Sequence, residues 1–211
     1  LEIAPEKVFI AQKWMTEKAN LAAKPVIIAT QMLDSMVKAP RPSRAEASDV
    51  ANAVLDGTDC VMLSKETANG DYPINAVSIM AKVCTEAERT LNYRLIFNDL
   101  KLYTPEPVST AESVASAVCS AVLAQKDIQL IVALTDTGKL ARMISKYRPE
   151  VCILACSTSD KVVQQCNASR GVVVGLRLQG NADSDVAIKG AIEDAKSLKL
   201  VKVGAKCAVI H

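Results

Sequence analysis

The sequence predicts an α/β fold built on parallel strands. Half of the 211 residues are hydrophobic while only 3% are aromatic, so Ala, Val, Ile and Leu carry the apolar content. They are grouped in short, largely β-branched runs. These runs alternate with helix-like segments at a spacing of about 30 residues, the ordinary size of a strand-helix-strand unit. The length allows one large domain or two small ones.

Taken in order, Val8 to Ala22 has good helix formers, with Phe9, Ala11, Met15 and Ala19 as its apolar positions, and ends before Lys24-Pro25. Val26-Ile27-Ile28-Ala29 is wholly apolar, as expected of a parallel strand covered on both faces, and delivers Thr30-Gln31 at its C-terminal end. After the Pro40-Arg41-Pro42 loop, Ser48-Asp49 offers caps to a helix with Val50, Ala53 and Val54 on one face and Gly57 as its stop. Cys60 to Leu63 reads as a second buried strand leading into the polar loop Ser64 to Asp71. Pro73 opens a helix whose Val77, Met80, Cys84 and Ala87 share a face.

Periodicity then fades, and Thr104-Pro105-Glu106-Pro107 marks a linker over residues 91–107, dividing a first domain at 1–90 from a second at 108–211. Val108, Ser109 and Glu112 form a staple and capping box for a helix from Thr110 to Gln125. Strands at Leu130 to Leu134, Cys152 to Ala155, Val172 to Leu176 and Cys207 to Ile210 alternate with helices at Lys139 to Tyr147, Lys161 to Ser169 and Asp185 to Leu198. The second domain is therefore expected to be an open, largely parallel three-layer sheet.

Composition excludes several functions. Lys plus Arg at 25 against Asp plus Glu at 23 gives a net charge of +2, with no basic run to follow a phosphate backbone, so nucleic acid is not an expected partner. No apolar stretch reaches the roughly 18 residues of a membrane span, and no leader precedes the first helix, so the expectation is a cytoplasmic protein with no membrane partner. The seven cysteines are odd in number and form no C-x-x-C pair, which predicts free, buried thiols. His211 is the single histidine and G-x-S-x-G is absent, so neither a histidine-based triad nor a histidine-rich zinc site is available. The chain opens at Leu1 and ends straight after an apolar strand, which suggests a fragment.

In parallel α/β proteins the working residues lie on loops leaving the C-terminal ends of strands. Three such loops are polar: Thr30, Gln31, Asp34 and Ser35; Ser64, Lys65, Glu66, Thr67 and Asn69; and Thr135, Asp136, Thr137, Gly138 and Lys139. All three can be read as caps of the helices that follow. The third also has the hydroxyls, glycine and lysine of a phosphate cradle. It is not a Walker loop, since Ala133 stands at the first glycine position and Leu140 follows the Gly-Lys pair.

A family resemblance adds to this reading. Pro5-Glu6-Lys7-Val8-Phe9, Lys24-Pro25-Val26-Ile27-Ile28-Ala29-Thr30-Gln31-Met32-Leu33-Asp34-Ser35-Met36 and Pro40-Arg41-Pro42-Ser43-Arg44-Ala45-Glu46 closely resemble pyruvate kinase. So do Asp49 to Gly57, Met62-Leu63-Ser64, Glu66-Thr67-Ala68 and Gly70-Asp71-Tyr72-Pro73. Looser collinear anchors follow in Lys146-Tyr147-Arg148-Pro149 and Ser169-Arg170-Gly171-Val172. The resemblance implies that residues 1–90 are the last strands and helices of a (β/α)8 barrel, with its apolar surface exposed when alone, and that 108–211 are the regulatory domain. It implies phosphoryl transfer from phosphoenolpyruvate to ADP, giving pyruvate and ATP, in a homotetramer using Mg2+ and K+. The metal ligands and the catalytic lysine would lie upstream, leaving no metal ligand here and a fragment inactive alone.

Thr30 matches the family's active-site threonine, near the substrate's methylene carbon. Gln31, Ser64, Glu66 and Asn69 fall on the substrate and nucleotide side. Arg41 and Arg44 fall on a subunit-interface loop, where the plain alternative is a surface pairing of Arg44 with Glu46. Thr135, Thr137, Gly138 and Lys139 match an effector phosphate loop. Three positions depart from the family pattern. Lys65 replaces a glycine and would be strained if that position needs positive φ. Asn69 stands where many members have lysine. Leu140 replaces a hydroxyl, which argues against sugar-bisphosphate activation. The competing reading is a non-catalytic module that binds a phosphorylated metabolite or serves assembly.

Overall fold

The structure, a computed structural model, describes residues 3–177 and 184–211. The chain divides into two compact units, Leu1–Leu91 and Asn92–His211.

In the first unit, α1 (Val8–Leu21) precedes β1 (Ile27–Ala29), α2 (Arg44–Leu55), β2 (Cys60–Met62), the one-turn α3 (Lys65–Ala68) and α4 (Pro73–Arg89). β1 and β2 pair in parallel, with Ile27 opposite Cys60 and Ala29 opposite Met62. Ile28, Met32, Leu33, Met36, Val50, Ala53, Ala76 and Met80 close a core on one side of the pair.

The other side departs from the expectation of a doubly covered strand, because Ile27 is 54% and Met62 48% exposed. α1 likewise turns Phe9, Trp14 and Met15 outward and buries Thr16 and Asn20. Asn20 sits against Gly57, whose φ of 98° no bulkier residue would adopt readily. α2 begins at Arg44 rather than after Ser48, because Ser43 and Glu46 form a complete capping box. In α4 the buried face runs through Ala76, Met80 and Ala87, while Val77 is exposed.

The second unit begins with α5 (Tyr93–Tyr103), where the sequence suggested an aperiodic linker. Asn92 caps it through the Leu95 N–H at 3.1 Å, and Phe97 anchors it against the Tyr147 ring at 5.6 Å between centroids. Next come α6 (Thr110–Ala124), β3 (Ile128–Leu134), α7 (Lys139–Lys146), β4 (Cys152–Ser157), α8 (Asp160–Cys166), β5 (Val172–Arg177), α9 (Ser184–Ser197) and β6 (Lys206–Ile210). The four strands are parallel in the order β5-β4-β3-β6.

Strand alternation sends Ile131, Ala133, Ile153 and Ala155 to a face packed by α6, α7 and Cys166 of α8. Leu130, Val132, Leu154 and Cys156 go to the opposite face, against Ala191 and Ala195 of α9. These are the three layers expected. Ser109 caps α6 through the Glu112 N–H at 3.2 Å. The Glu112 side chain does not complete that box; it is buried and takes Lys146 at 2.8 Å and the Tyr147 hydroxyl at 2.6 Å. All seven cysteines are free thiols, with Cys119, Cys156 and Cys166 buried and the others half-buried.

Candidate functional site

The loops leaving β1 and β2 start side by side, because Ala29 and Met62 are register partners. Thr30 has φ 74° and Gln31 φ 55°. Two consecutive left-handed residues without a glycine cost about 1–2 kcal/mol each, and a β-branched threonine is among the least suited to that region. The corner turns Thr30 and Gln31 to solvent and drives Met32 and Leu33 into the core. Ser64, which follows β2 by two residues, has φ −125° and ψ −96°, also away from the populated wells. Strain of this kind persists only where the surroundings over-determine it.

Two carboxylates do so. Glu66, 1% exposed, accepts the Leu33 N–H through Oε1 at 3.0 Å and the Ser64 N–H through Oε2 at 2.7 Å, joining the two loops. Burial opposes its charge, but hydrogen bonds from its own N–H and those of Ser64 and Leu33 outweigh this, holding the carboxyl below the usual glutamate range. Glu46 accepts the Ser35 N–H at 2.7 Å and Oγ–H at 2.5 Å, and the Ser43 N–H at 2.7 Å and Oγ–H at 2.8 Å. Partial burial again raises its pKa, yet the Ser35 and Ser43 donors bring it down to about 2.

The structure therefore brings Thr30, Gln31, Ser64 and Glu66 to one end of the strand pair. Asn69 lies apart, exposed at the C-terminal end of α3. Lys65 is the first residue of that helix and outside the left-handed region, so the strain considered for it does not arise. Arg41 and Arg44 are exposed around Ser43. Glu46 is engaged by Ser35 and Ser43, so the Arg44 to Glu46 pairing considered as the plain alternative is not made. The roles of Glu46 and Ser35 as a brace between the loop that carries Arg41 and Arg44 and the Thr30 corner were missed in the sequence. The Ser43-x-x-Glu46 capping signature was the available signal.

Among the described residues, no three His, Cys, Asp or Glu side chains converge to hold a metal ion. The carboxylates nearest the corner spend their oxygens on N–H and O–H donors. These residues do not fit Mg2+ or K+ as ligands.

In the second unit, the Thr135 to Lys139 loop leaves β3 at the point where the strand order reverses, β4 lying on one side and β6 on the other. The Thr135 N–H bonds Cys156 O at 2.9 Å. Gly138 is buried with φ 73°, and a Cβ there would meet Arg142 Nη1 and Cys166 Sγ, both at 2.9 Å. Arg142 Nη1 donates to Thr137 O at 3.3 Å, and the Lys139 N–H approaches Thr137 Oγ1 at 3.4 Å. Thr137 and Lys139 remain exposed.

Comparison with known proteins gives this geometry a family. Residues 1–77 match the family model of the pyruvate kinase barrel domain, and residues 112–211 that of the pyruvate kinase alpha/beta domain. The whole chain is 51% identical to a pyruvate kinase of Eimeria tenella and 49% identical to one of Dictyostelium discoideum, spanning 39% and 42% of their lengths. A crystal structure of a Cryptosporidium parvum pyruvate kinase covers the whole chain with a TM-score of 0.96 at 44% identity, the chain spanning 42% of it. A second, in complex with ADP, gives 0.92 at the same identity and share. The two strained loops are thus the ends of barrel strands, the four-stranded sheet is the alpha/beta domain, and the chain belongs to the pyruvate kinase family.

Proposed function

We propose that this chain is the C-terminal part of a cytoplasmic pyruvate kinase, which transfers the phosphoryl group of phosphoenolpyruvate to ADP to yield pyruvate and ATP. The observation that carries the reading is the pair of consecutive left-handed residues, Thr30 and Gln31, held at the C-terminal end of a barrel strand. Such a corner is costly and turns the Thr30 side chain to solvent, as expected where a hydroxyl must be presented at one place.

Transfer of the phosphoryl group leaves an enolate, which becomes pyruvate by taking a proton at its methylene carbon. A threonine hydroxyl is too weak an acid to supply that proton alone, so Thr30 orients an ordered water and relays through it. Ser64 and Glu66 shape the adjoining nucleotide-side loop, with Asn69 at its outer end. Arg41 and Arg44 carry the contact to a neighbouring subunit of a homotetramer, and Glu46 fastens that loop to Ser35 of the Thr30 corner. Mg2+ and K+ would be held by residues of the longer chain, where they would supply the charge neutralisation on which phosphoryl transfer depends.

Two measurements test the reading. The purified 211-residue chain should show no turnover of phosphoenolpyruvate, and robust activity would overturn the assignment as a fragment. In the full-length protein, Thr30→Val should lower kcat with the fold intact, whereas unchanged turnover would remove Thr30 from the mechanism.

A further inference from the structure

We propose that Glu66 is the positioning residue for Thr30: by gripping the Leu33 and Ser64 amides together, its carboxylate holds the Thr30–Gln31 corner in the conformation that presents the hydroxyl. The inference rests on the reading of Thr30 given above and names the part of the chain that makes that reading work.

Thr30 cannot place itself. It is exposed, and its hydroxyl has no hydrogen-bond partner among the described residues, so its position is set by the backbone. On one side the backbone is held by the β1–β2 ladder, which ends at the Ala29–Met62 pair. On the other it is held at Leu33, three residues on, whose side chain is fully buried and whose N–H points at Glu66 Oε1. The second oxygen takes the Ser64 N–H, two residues beyond the same strand pair. One rigid carboxylate thus fixes the spacing of both loops. Without it, two inward-facing N–H groups would have to turn to find partners. The route open to Leu33 is relaxation of Thr30 and Gln31 toward negative φ, which carries the hydroxyl away.

This is a different task from touching substrate. Glu66 has both oxygens committed to backbone donors and is 1% exposed, so it acts through Thr30. The isosteric Gln would keep the volume but present an NH2 group to one of the two N–H donors, breaking one grip.

The experiment is a double-mutant cycle in the full-length protein with Glu66→Gln, Thr30→Val and both together. Misplacement by about an ångström costs on the order of 100-fold in rate, so Glu66→Gln should lower kcat roughly 10- to 100-fold. KM for phosphoenolpyruvate should change by less than about twofold, because the hydroxyl acts in protonation of the enolate and not in holding that substrate. The double variant should be no slower than Thr30→Val alone. If Thr30→Val is impaired while Glu66→Gln turns over normally, or if the two losses multiply, Glu66 does not act through Thr30. If Thr30→Val itself is unimpaired, the underlying reading fails first, and that result is separate. Should Glu66→Gln not fold, Glu66→Asp takes its place, since a carboxylate one methylene shorter reaches only one amide. The same fall in kcat at constant KM supports the proposal, and unchanged kcat overturns it.

Discussion

Lys146 and Glu112 form an ion pair at 2.8 Å with side chains only 1% and 9% exposed, and the Tyr147 hydroxyl adds a 2.6 Å bond to the same carboxylate oxygen. The cluster ties the first turn of α6 to the last of α7. Burial, and then the bond to Glu112, push the Tyr147 hydroxyl up to about 12, so it remains a donor at every ordinary pH. Removing one member strands the other charge. Lys146→Met should therefore destabilise the chain by about 3–5 kcal/mol, and Glu112→Leu combined with Lys146→Met should cost well under the sum of the single changes. Urea unfolding of the three variants measures both quantities.

The Glu46 brace predicts an acid-sensitive contribution to stability. Its carboxyl lies at about 2 against an ordinary 4.5. A group whose folded-state pKa is depressed contributes fully above its unfolded value and loses that contribution as pH falls through the folded one. Wild type and Glu46→Gln should thus differ most near neutral pH, by on the order of 1 kcal/mol, because solvent screens a carboxylate this close to the surface. The gap should shrink between about pH 4.5 and 2. Denaturant melts at pH 7 and pH 3 would show it, and an unchanged gap would mean that Glu46 contributes nothing through its charge.

The buried thiols should be inert. Desolvation pushes Cys119 and Cys156 up to about 12 and also raises Cys166. Because the thiolate is the reactive form, iodoacetamide at pH 8 should leave these three unmodified in the folded chain, with any labelling confined to the half-buried Cys60, Cys84, Cys152 and Cys207. Peptide mass spectrometry reads the sites directly, and modification of Cys119 before unfolding would contradict the packing around it.

Most of the fold is legible because short apolar runs such as Leu130 to Leu134 and Ile153 to Ala155 leave no choice but buried parallel strands. Faces are less legible than elements. Val77 and Ala76 are both plausible inward residues by spacing, and tertiary packing selects the smaller. α5 does carry a helical period, since Tyr93, Phe97 and Leu100 share the face packed on the core, but the outward-facing Leu95, Leu102 and Tyr103 blur it and the two prolines that follow make the segment read as linker. At the site, resemblance singles out Thr30, but nothing local reveals its left-handed backbone. Threonine has no tendency toward positive φ, and the carboxylate that clamps the corner is bonded 33 residues along the chain. Glu66 looks in sequence like one polar residue in a polar loop, and only the fold turns it inward.

The Thr135 to Lys139 loop carries the remaining prediction. It leaves β3 where the strand order reverses, it precedes the eight-residue α7, and Lys139 is exposed beside it. These features favour an anion, while Asp136 adds opposing charge and Leu140 removes a hydroxyl, so a single phosphate is a better match than two. Titration of a sugar monophosphate into the chain should shift the backbone amides of residues 135–139, and a bisphosphate should bind no more tightly. Gly138→Ala should abolish the shift, because the new Cβ meets Cys166 Sγ at 2.9 Å deep in the core and the left-handed backbone adds about 1–2 kcal/mol of strain. Arg142 can swing aside, but the buried Cys166 cannot, so the loop itself must move. Absence of any shift at millimolar ligand would leave Thr137 and Lys139 as helix-start residues and reject the loop as an effector site.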